Sequence, residues 1–156
     1  MRDKICKAKS IMTDEWIEGY YARKGIDEKT YKHYILEPTI SVTGAEYNDV
    51  CFFVEIEVDE ETVSEFTGLM DKNDTKIFEN DIISAHPDEL FPDDEIRLVV
   101  EWHDYGWFGK DSKGRYTSLE SKWVSDLFEV IGNRFDNPRC VFIDRFIENI
   151  RKQKEN

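Results

Sequence analysis

The chain has 156 residues and a net charge of −13, with 40% hydrophobic and 13% aromatic residues. This length suits one domain or two small ones that fold without disulfides or metals, and the aromatic content argues against disorder. The longest apolar run, residues 50–54, is far shorter than the ~20 residues of a membrane helix. We therefore expect a folded cytoplasmic protein without a membrane contact.

Acidic residues are concentrated in two segments of the chain. Residues 46–66 carry eight acidic side chains and no basic ones, and residues 86–104 carry seven acidic side chains against one basic. Phosphate backbones repel such surfaces, so direct nucleic-acid binding is not expected. Residues 105–122 reverse the trend, with four basic and two acidic side chains.

The three cysteines indicate neither a disulfide nor a metal site. Cys6, Cys51 and Cys140 are odd in number and far apart, without the spacing of metal ligands or of a redox pair. Cys51 lies in the most apolar run, where we expect it to be buried and unreactive. The sequence accordingly predicts no cofactor.

The first half of the chain predicts a β-hairpin followed by a third strand. Residues 15–23 and 30–36 are rich in aromatic and β-branched residues, and the turn chemistry of residues 24–27 separates them. Residues 53–59 alternate between apolar and acidic side chains, which is typical of a half-buried strand.

The middle of the chain predicts two longer strands and a short one. Residues 82–85 and 96–102 have strand composition, and an acidic loop over residues 87–95 joins them. The two prolines of this loop forbid a regular ladder. Residues 105–109 indicate a turn that leads into a short strand.

The C-terminal part predicts the clearest helix. Residues 119–128 suggest one or two helical turns, and residues 129–131 a strand. Asn137 can then cap a helix whose first turn accommodates Pro138. The apolar residues of this helix recur every four positions, at Phe142, Phe146 and Ile150.

Four blocks of sequence carry a family resemblance. Residues 67–82 read TGLMDKNDTKIFENDI, residues 99–102 read VVEW, residues 129–138 read EVIGNRFDNP, and residues 15–21 read EWIEGYY. Together they resemble the YopX-like family of bacteriophage and prophage proteins, over nearly the whole chain.

The resemblance implies a mainly β fold with a C-terminal helix. A small N-terminal β region, residues 1–62, would pack on an SH3-like barrel with a terminal helix, residues 63–156. A phage or prophage product would work in the bacterial host cytoplasm. The family carries no assigned biochemical activity, so the resemblance predicts a fold and not a reaction.

The motif residues are predicted to build turns. Where the family pattern has glycine, this chain has Asp74 and Asn80. Glycine supplies a positive φ at a turn, and Asn and Asp tolerate that region next best. The residues assigned to turns are Gly68, Asp71, Asn73, Asp74, Asn80, Asp81, Gly132, Asn133, Asn137 and Pro138.

Two groups of residues could form a calcium site or a catalytic site. A calcium loop that starts at Asp71 fails, because its sixth residue is Lys76 and its twelfth is Ile82. Strand alternation places Glu101 and His103 on one face, near Asp104, so a hydrolytic enzyme with a Glu/His/Asp site is the third functional hypothesis.

The leading hypothesis is a non-enzymatic phage or prophage accessory protein that acts through protein–protein contact. The expected partner is a second copy of the chain, in a homo-oligomer, or a host or phage protein. A basic, aromatic segment beside acidic segments is self-complementary in charge. The surface assigned to this contact comprises Trp102, His103, Tyr105, Trp107 and Phe108. The alternative is an acidic inhibitor that imitates DNA and occupies a host DNA-binding protein.

Overall fold

The computed structural model describes residues 4–41, 50–86 and 95–140, without the side chains of residues 39–41 and 50–52. The chain divides into two compact units, Met1–Phe66 and Thr67–Asn156. Antiparallel strands dominate both units, so the prediction of a mainly β fold is confirmed. In the described part of the chain, no helix is long and apolar enough to span a membrane.

The first unit is an antiparallel sheet in the strand order β4-β3-β2-β1-β5. Its elements are β1 (Ile5–Lys9), β2 (Trp16–Gly25), β3 (Tyr31–Ser41), β4 (Val50–Glu57), a 3₁₀ turn (Glu60–Thr62) and the start of β5 (Ser64–Met70). Its core is small and consists mainly of Cys6, Ala8, Ile35 and Val58. An isolated bridge between Ser10 and Val58 joins the chain beyond β4 to the chain beyond β1.

The predicted hairpin of the first unit is formed by β2 and β3. Its loop closes through the Asp27 carboxylate, whose Oδ1 accepts hydrogen bonds from the backbone N–H groups of Lys29 and Thr30, each at 2.8 Å. These two bonds, that from Lys29 first, hold the pKa of Asp27 below its usual range. Asp27 therefore stabilises the turn between β2 and β3.

The second unit contains a five-stranded antiparallel sheet in the order β10-β9-β8-β7-β11, and β6 pairs with β5. Its elements are β6 (Lys76–Phe78), β7 (Asp81–Ala85), β8 (Ile96–His103), β9 (Gly106–Lys110), β10 (Tyr116–Ser118), α1 (Ser121–Leu127) and β11 (Glu129–Asn133). The described strands of this unit do not close on themselves, so the SH3-like barrel is not confirmed. Ile77, Ile83, Val100, Val124 and Phe128 are fully buried in its core.

Several predicted elements fall outside the described residues. The acidic loop is described only at Glu95, and the predicted C-terminal helix with Phe142, Phe146 and Ile150 lies beyond residue 140. The side chain of Cys51 is likewise not described. Cys6 is buried and Cys140 is half-buried, and both are free thiols.

Gly109 allows β9 to pack closely on the neighbouring strand. It pairs with Val100 of β8, and a Cβ at this position would lie 2.6 Å from Leu98 Cδ1. Leu98 belongs to the core of the second unit, so its side chain has little room to move away.

We expect Gly109→Ala to destabilise the protein by about 1–3 kcal/mol, because the added methyl overpacks the core. Gly106→Ala in the same strand is the matched control, since its Cβ would meet only Phe108 Cε2 at an ordinary 3.6 Å. Chemical denaturation of both variants measures the difference. Equal stability of the two variants would contradict this account of the close packing.

Candidate functional site

The sequence block at residues 67–82 is centred on a buried carboxylate. Asp71 is only 2% exposed. Its Oδ1 accepts from the backbone N–H groups of Asn73 at 2.8 Å and Thr75 at 2.9 Å, and its Oδ2 accepts from Val130 N–H at 2.9 Å. Both oxygens are thus engaged by backbone donors, which agrees with a turn and not with a calcium loop.

The electrostatics of Asp71 follow from these donors. Burial alone acts to raise the pKa of the carboxyl, but the hydrogen bonds from Val130, Thr75 and Asn73 outweigh it and hold the pKa below its ordinary value of 3.8. The carboxylate therefore stays ionised inside the fold. Lys72 N–H also donates to Phe128 O at 2.8 Å, so the β5–β6 turn is attached both to β11, through Val130, and to the residue that precedes β11.

The two residues that replace glycine have left-handed backbones, as the sequence predicts. Asp74 has φ 60° and Asn80 has φ 67°. Asn80 lies in the turn between β6 and β7, where its N–H donates to Val100 O at 2.7 Å. Its main-chain oxygen accepts from Arg134 N–H at 3.0 Å, and its Oδ1 accepts from the Arg134 guanidinium at 3.2 Å.

Two further residues are predicted to form turns, and the prediction for Gly68 is wrong, because Gly68 lies inside strand β5 whereas Asp81 follows the β6–β7 turn as the first residue of β7. The buried Asp81 accepts from Phe78 N–H at 2.8 Å, which closes the same β6–β7 turn. Gly68 has φ 82° within β5, in open space. A left-handed residue inside a strand favours glycine, so the conformation and not the packing accounts for this position.

The prediction of a glycine turn after β11 is wrong in its position. Gly132 lies inside the strand, beside an irregularity in the register, and its φ of 159° is extended. A Cβ there would collide with the side chain of Asn137. The turn is made instead by Asn133, whose Oδ1 accepts from the N–H groups of Phe135 at 3.0 Å and Asp136 at 2.9 Å.

Asn137 and Pro138 follow directly after this turn. Asn137 N–H donates to Asn133 O at 2.8 Å, and its Oδ1 accepts from Asn133 N–H at 3.3 Å. The main-chain oxygen of Asn137 accepts from Cys140 N–H at 2.9 Å, so Pro138 sits within a further tight turn. We call Asp71, Asn80, Asn133 and their backbone partners the turn network.

The interaction surface predicted from the sequence is divided between two faces of the β8–β9 hairpin. On the face that carries the core, Trp102 pairs with Trp107 across the strands, with ring centroids 5.1 Å apart at 81°. Trp107 packs against the core of the second unit. Trp102 continues the row of Leu98 and Val100 beyond the core and is 56% exposed.

The opposite face of the hairpin carries the remaining three aromatic residues. His103 stacks on Tyr116 of β10 with centroids 4.0 Å apart at 4°. Phe108 meets the His103 ring edge-on at 5.8 Å, and Tyr105 meets Phe108 at 6.3 Å. Tyr105 stands at the hairpin tip, beside the left-handed Asp104, and is 85% exposed.

Glu101 connects this aromatic face to the basic residues near it. Its carboxylate accepts from the Tyr116 hydroxyl at 3.1 Å and lies 3.7 Å from Lys110 Nζ and 3.9 Å from the Arg134 guanidinium. The Tyr116 hydroxyl, followed by Glu101, raises the pKa of Lys110. The Glu101 carboxylate therefore accepts one hydrogen bond from a hydroxyl group and neighbours two cations.

The hydrolytic constellation receives no support from these contacts. His103 Nε2 lies 3.5 Å from Asp104 Oδ2, and the ring is otherwise stacked on Tyr116. Glu101 is engaged by Tyr116, Lys110 and Arg134 as described. Among the described residues, no three His, Cys, Asp or Glu side chains are grouped as metal ligands would be.

A charged groove in the first unit was not predicted. The His33 ring lies between Tyr21 and Glu60, with Nδ1 2.6 Å from the Tyr21 hydroxyl and Nε2 2.7 Å from Glu60 Oε2. The adjoining groove has a volume of about 400 Å³. Its cations are paired with carboxylates, Lys9 with Asp14 at 3.6 Å and Lys32 with Glu57 at 3.0 Å. The Glu57 hydrogen bond raises the pKa of Lys32.

These contacts define a two-unit antiparallel β protein whose recurring sequence blocks build turns. The chain belongs to the YopX family, because the family model, described as YopX protein, matches residues 20–141. The fold is also similar to the crystal structure of protein EF1440 from Enterococcus faecalis, with a TM-score of 0.62 and 17% identity over 90% of this chain and 99% of that chain. No curated protein matches the sequence at a significant level.

The turn conformation at Asn80 leads to a stability prediction. We expect Asn80→Val to cost about 1–2 kcal/mol, because a β-branched side chain is strained at a positive φ. Asn80→Gly is the control, and it should be close to neutral since glycine adopts this φ freely. Thermal melts of the two variants decide the matter, and a valine variant as stable as the glycine variant would contradict the prediction.

The buried carboxylate leads to a prediction about pH. Asp71→Asn should lower the stability by about 1–3 kcal/mol at neutral pH, because an amide nitrogen replaces one acceptor of a buried N–H. The pKa of Asp71 is lower in the folded state than in the unfolded state. The stabilisation that the ionised carboxylate provides is therefore complete above the ordinary pKa of a carboxyl group, and it is lost as the pH falls through the lower pKa of the folded state. Urea denaturation from neutral to acid pH should show a shallower dependence below about pH 4 for the variant. Parallel pH profiles would contradict the assignment.

Proposed function

We propose that this chain is a non-enzymatic accessory protein that acts through protein–protein contact at the β8–β9 hairpin. The observation that supports the proposal is the exposure of Trp102 at the margin of the core-facing row. Trp and Tyr are the residues most enriched at the energetic centres of protein interfaces. The phage or prophage setting in the host cytoplasm, taken from the family resemblance, is part of the same proposal.

The shape of the hairpin supports contact from two sides. Trp102 offers a flat apolar surface on one face, and Tyr105 projects from the tip. Trp107 contacts Trp102 edge-on across the two strands, and Phe108 contacts Tyr105 edge-on. An aromatic side chain that a neighbouring ring already restrains loses little conformational entropy when a partner covers it, which favours binding.

The proposed partner is a second copy of the chain. Residues 105–122 are basic within a chain of net charge −13, so they attract the acidic surface of another copy. This contact is steered by charge and should weaken as salt screens it. Direct nucleic-acid binding is not part of the proposal, because the net charge opposes it.

The DNA-mimic alternative is not favoured by the described contacts. In the acidic segment 46–66, Glu55 pairs with Lys24 and Glu57 with Lys32. A DNA mimic needs a row of negative charges that resembles the phosphates of DNA. The two lysines neutralise part of the negative charge of this segment and so weaken that resemblance.

Light scattering on the purified chain tests the proposal. We expect the assembly present at low salt to lose mass as salt rises, and Trp102→Ala should weaken this salt-sensitive contact by about 1–2 kcal/mol of binding free energy. Tyr31→Ala, which removes an exposed aromatic residue of the first unit, is the matched control and should leave this contact intact. An assembly whose mass does not change with salt would overturn the charge-steered contact, and a salt-sensitive loss of mass that Trp102→Ala leaves unchanged would overturn the assigned surface.

A further inference from the structure

We propose that two copies of the chain also pair edge to edge and antiparallel through strand β4. The contact lies in the first unit and does not depend on the hairpin surface of the proposed function. β4 is the outer strand of its sheet among the described residues, and it pairs with β3 over all eight of its positions. The second copy would add its own β4 to the open side.

The pairing pattern identifies which backbone groups face outward. Val58 N–H donates to His33 O at 2.9 Å, so Val58 points its backbone groups toward β3. Along an antiparallel strand, the backbone N–H and carbonyl groups of successive residues point alternately toward one side and the other. The backbone groups of Ile56 and Val54 therefore also face β3, whereas those of Glu55 and Phe53 face away. The main-chain oxygen of Glu57, which also points away from β3, accepts a hydrogen bond from Ile11 N–H at 3.1 Å, which agrees with this assignment.

The outward groups of Phe53 and Glu55 are the free part of this edge. Within residues 4–41, 50–86 and 95–140, no hydrogen bond reaches their outward N–H and carbonyl groups. Folded proteins usually protect such an edge with charged side chains, proline, a bulge or a very short strand. β4 has no proline or bulge, and its two charged side chains, Glu55 and Glu57, are paired with lysines of the same chain. The strand exposes 51% of Phe53 and 45% of Val54.

Charge favours a second copy at this edge. Two chains of net charge −13 repel each other over most of their surface. At β4 the repulsion is reduced, because Glu55 is paired with Lys24 and Glu57 with Lys32. The edge is therefore a locally neutral, apolar strand on an acidic protein.

A two-fold arrangement also suits the sequence of the strand. When the outward residue Phe53 lies opposite the same residue of the second copy, the two aromatic rings form a cross-strand pair. In that register Glu55 lies opposite position 51 and not opposite another Glu55. The outward residues of both strands exchange N–H and carbonyl hydrogen bonds.

Sedimentation at high salt separates this contact from the hairpin contact. We expect a dimer that persists as salt rises and that survives Trp102→Ala, because it depends on hydrogen bonds and apolar contact. Phe53→Pro removes an N–H that faces away from β3, so the internal ladder is preserved, and it should weaken the dimer by about tenfold or more. Phe53→Val keeps the N–H and is the matched control, which should retain the dimer.

Circular dichroism and thermal melting show whether the Phe53→Pro variant folds. If it does not fold, Phe53→Lys is the second variant. It places a charge on the edge and should likewise weaken the dimer. A wild-type monomer at high salt and high micromolar concentration would overturn the proposal. So would a dimer of unchanged affinity in the folded Phe53→Pro or Phe53→Lys variant. An assembly that responds to Trp102→Ala but not to the Phe53 variants would overturn this contact and leave the proposed function standing.

Discussion

The second unit depends on one buried charge, the carboxylate of Asp71. An ionised group removed from water is costly unless hydrogen bonds replace its hydration. Here backbone N–H groups of Asn73, Thr75 and Val130 provide that replacement. Because the third donor lies 59 positions along the chain, the carboxylate joins a local turn to the last strand of the sheet. Turn formation and assembly of the sheet are thereby coupled.

The rest of the turn network extends this coupling around β7. Asn80 precedes β7 and binds Arg134, which follows β11. Asn133 shapes the turn after β11. The sequence blocks at 67–82 and 129–138 are thus parts of one hydrogen-bonded arrangement around a pair of neighbouring strands. Their polar residues serve backbone geometry.

Much of the fold could be predicted because alternation is a local property. The hairpin of β2 and β3, the strands β4, β7 and β8, and the short helix α1 all lie where the sequence places them. Strand β1 was missed, since its lysines resemble a basic terminus and its core residues, Cys6 and Ala8, are small. Its signal was the alternation of Cys6 and Ala8 with Ile5, Lys7 and Lys9.

The candidate sites were harder to predict because they depend on contacts between distant elements. His33 meets Tyr21 from β2 and Glu60 from the 3₁₀ turn, and no local pattern indicates that meeting. The five residues of the predicted interaction surface were grouped by nearness in sequence. The pleat of β8 and β9 separates them, with Trp102 and Trp107 on one face and His103 and Phe108 on the other.

The donors to Asp71 also bear on how far relatives can diverge. Three of them are main-chain N–H groups, and the Thr75 side chain adds a further hydrogen bond. The contact therefore places no demand on the side chains of Asn73 and Val130 and excludes only proline there. A few fixed positions can then maintain the architecture while most neighbouring side chains drift. The Enterococcus faecalis structure has a similar fold at 17% identity.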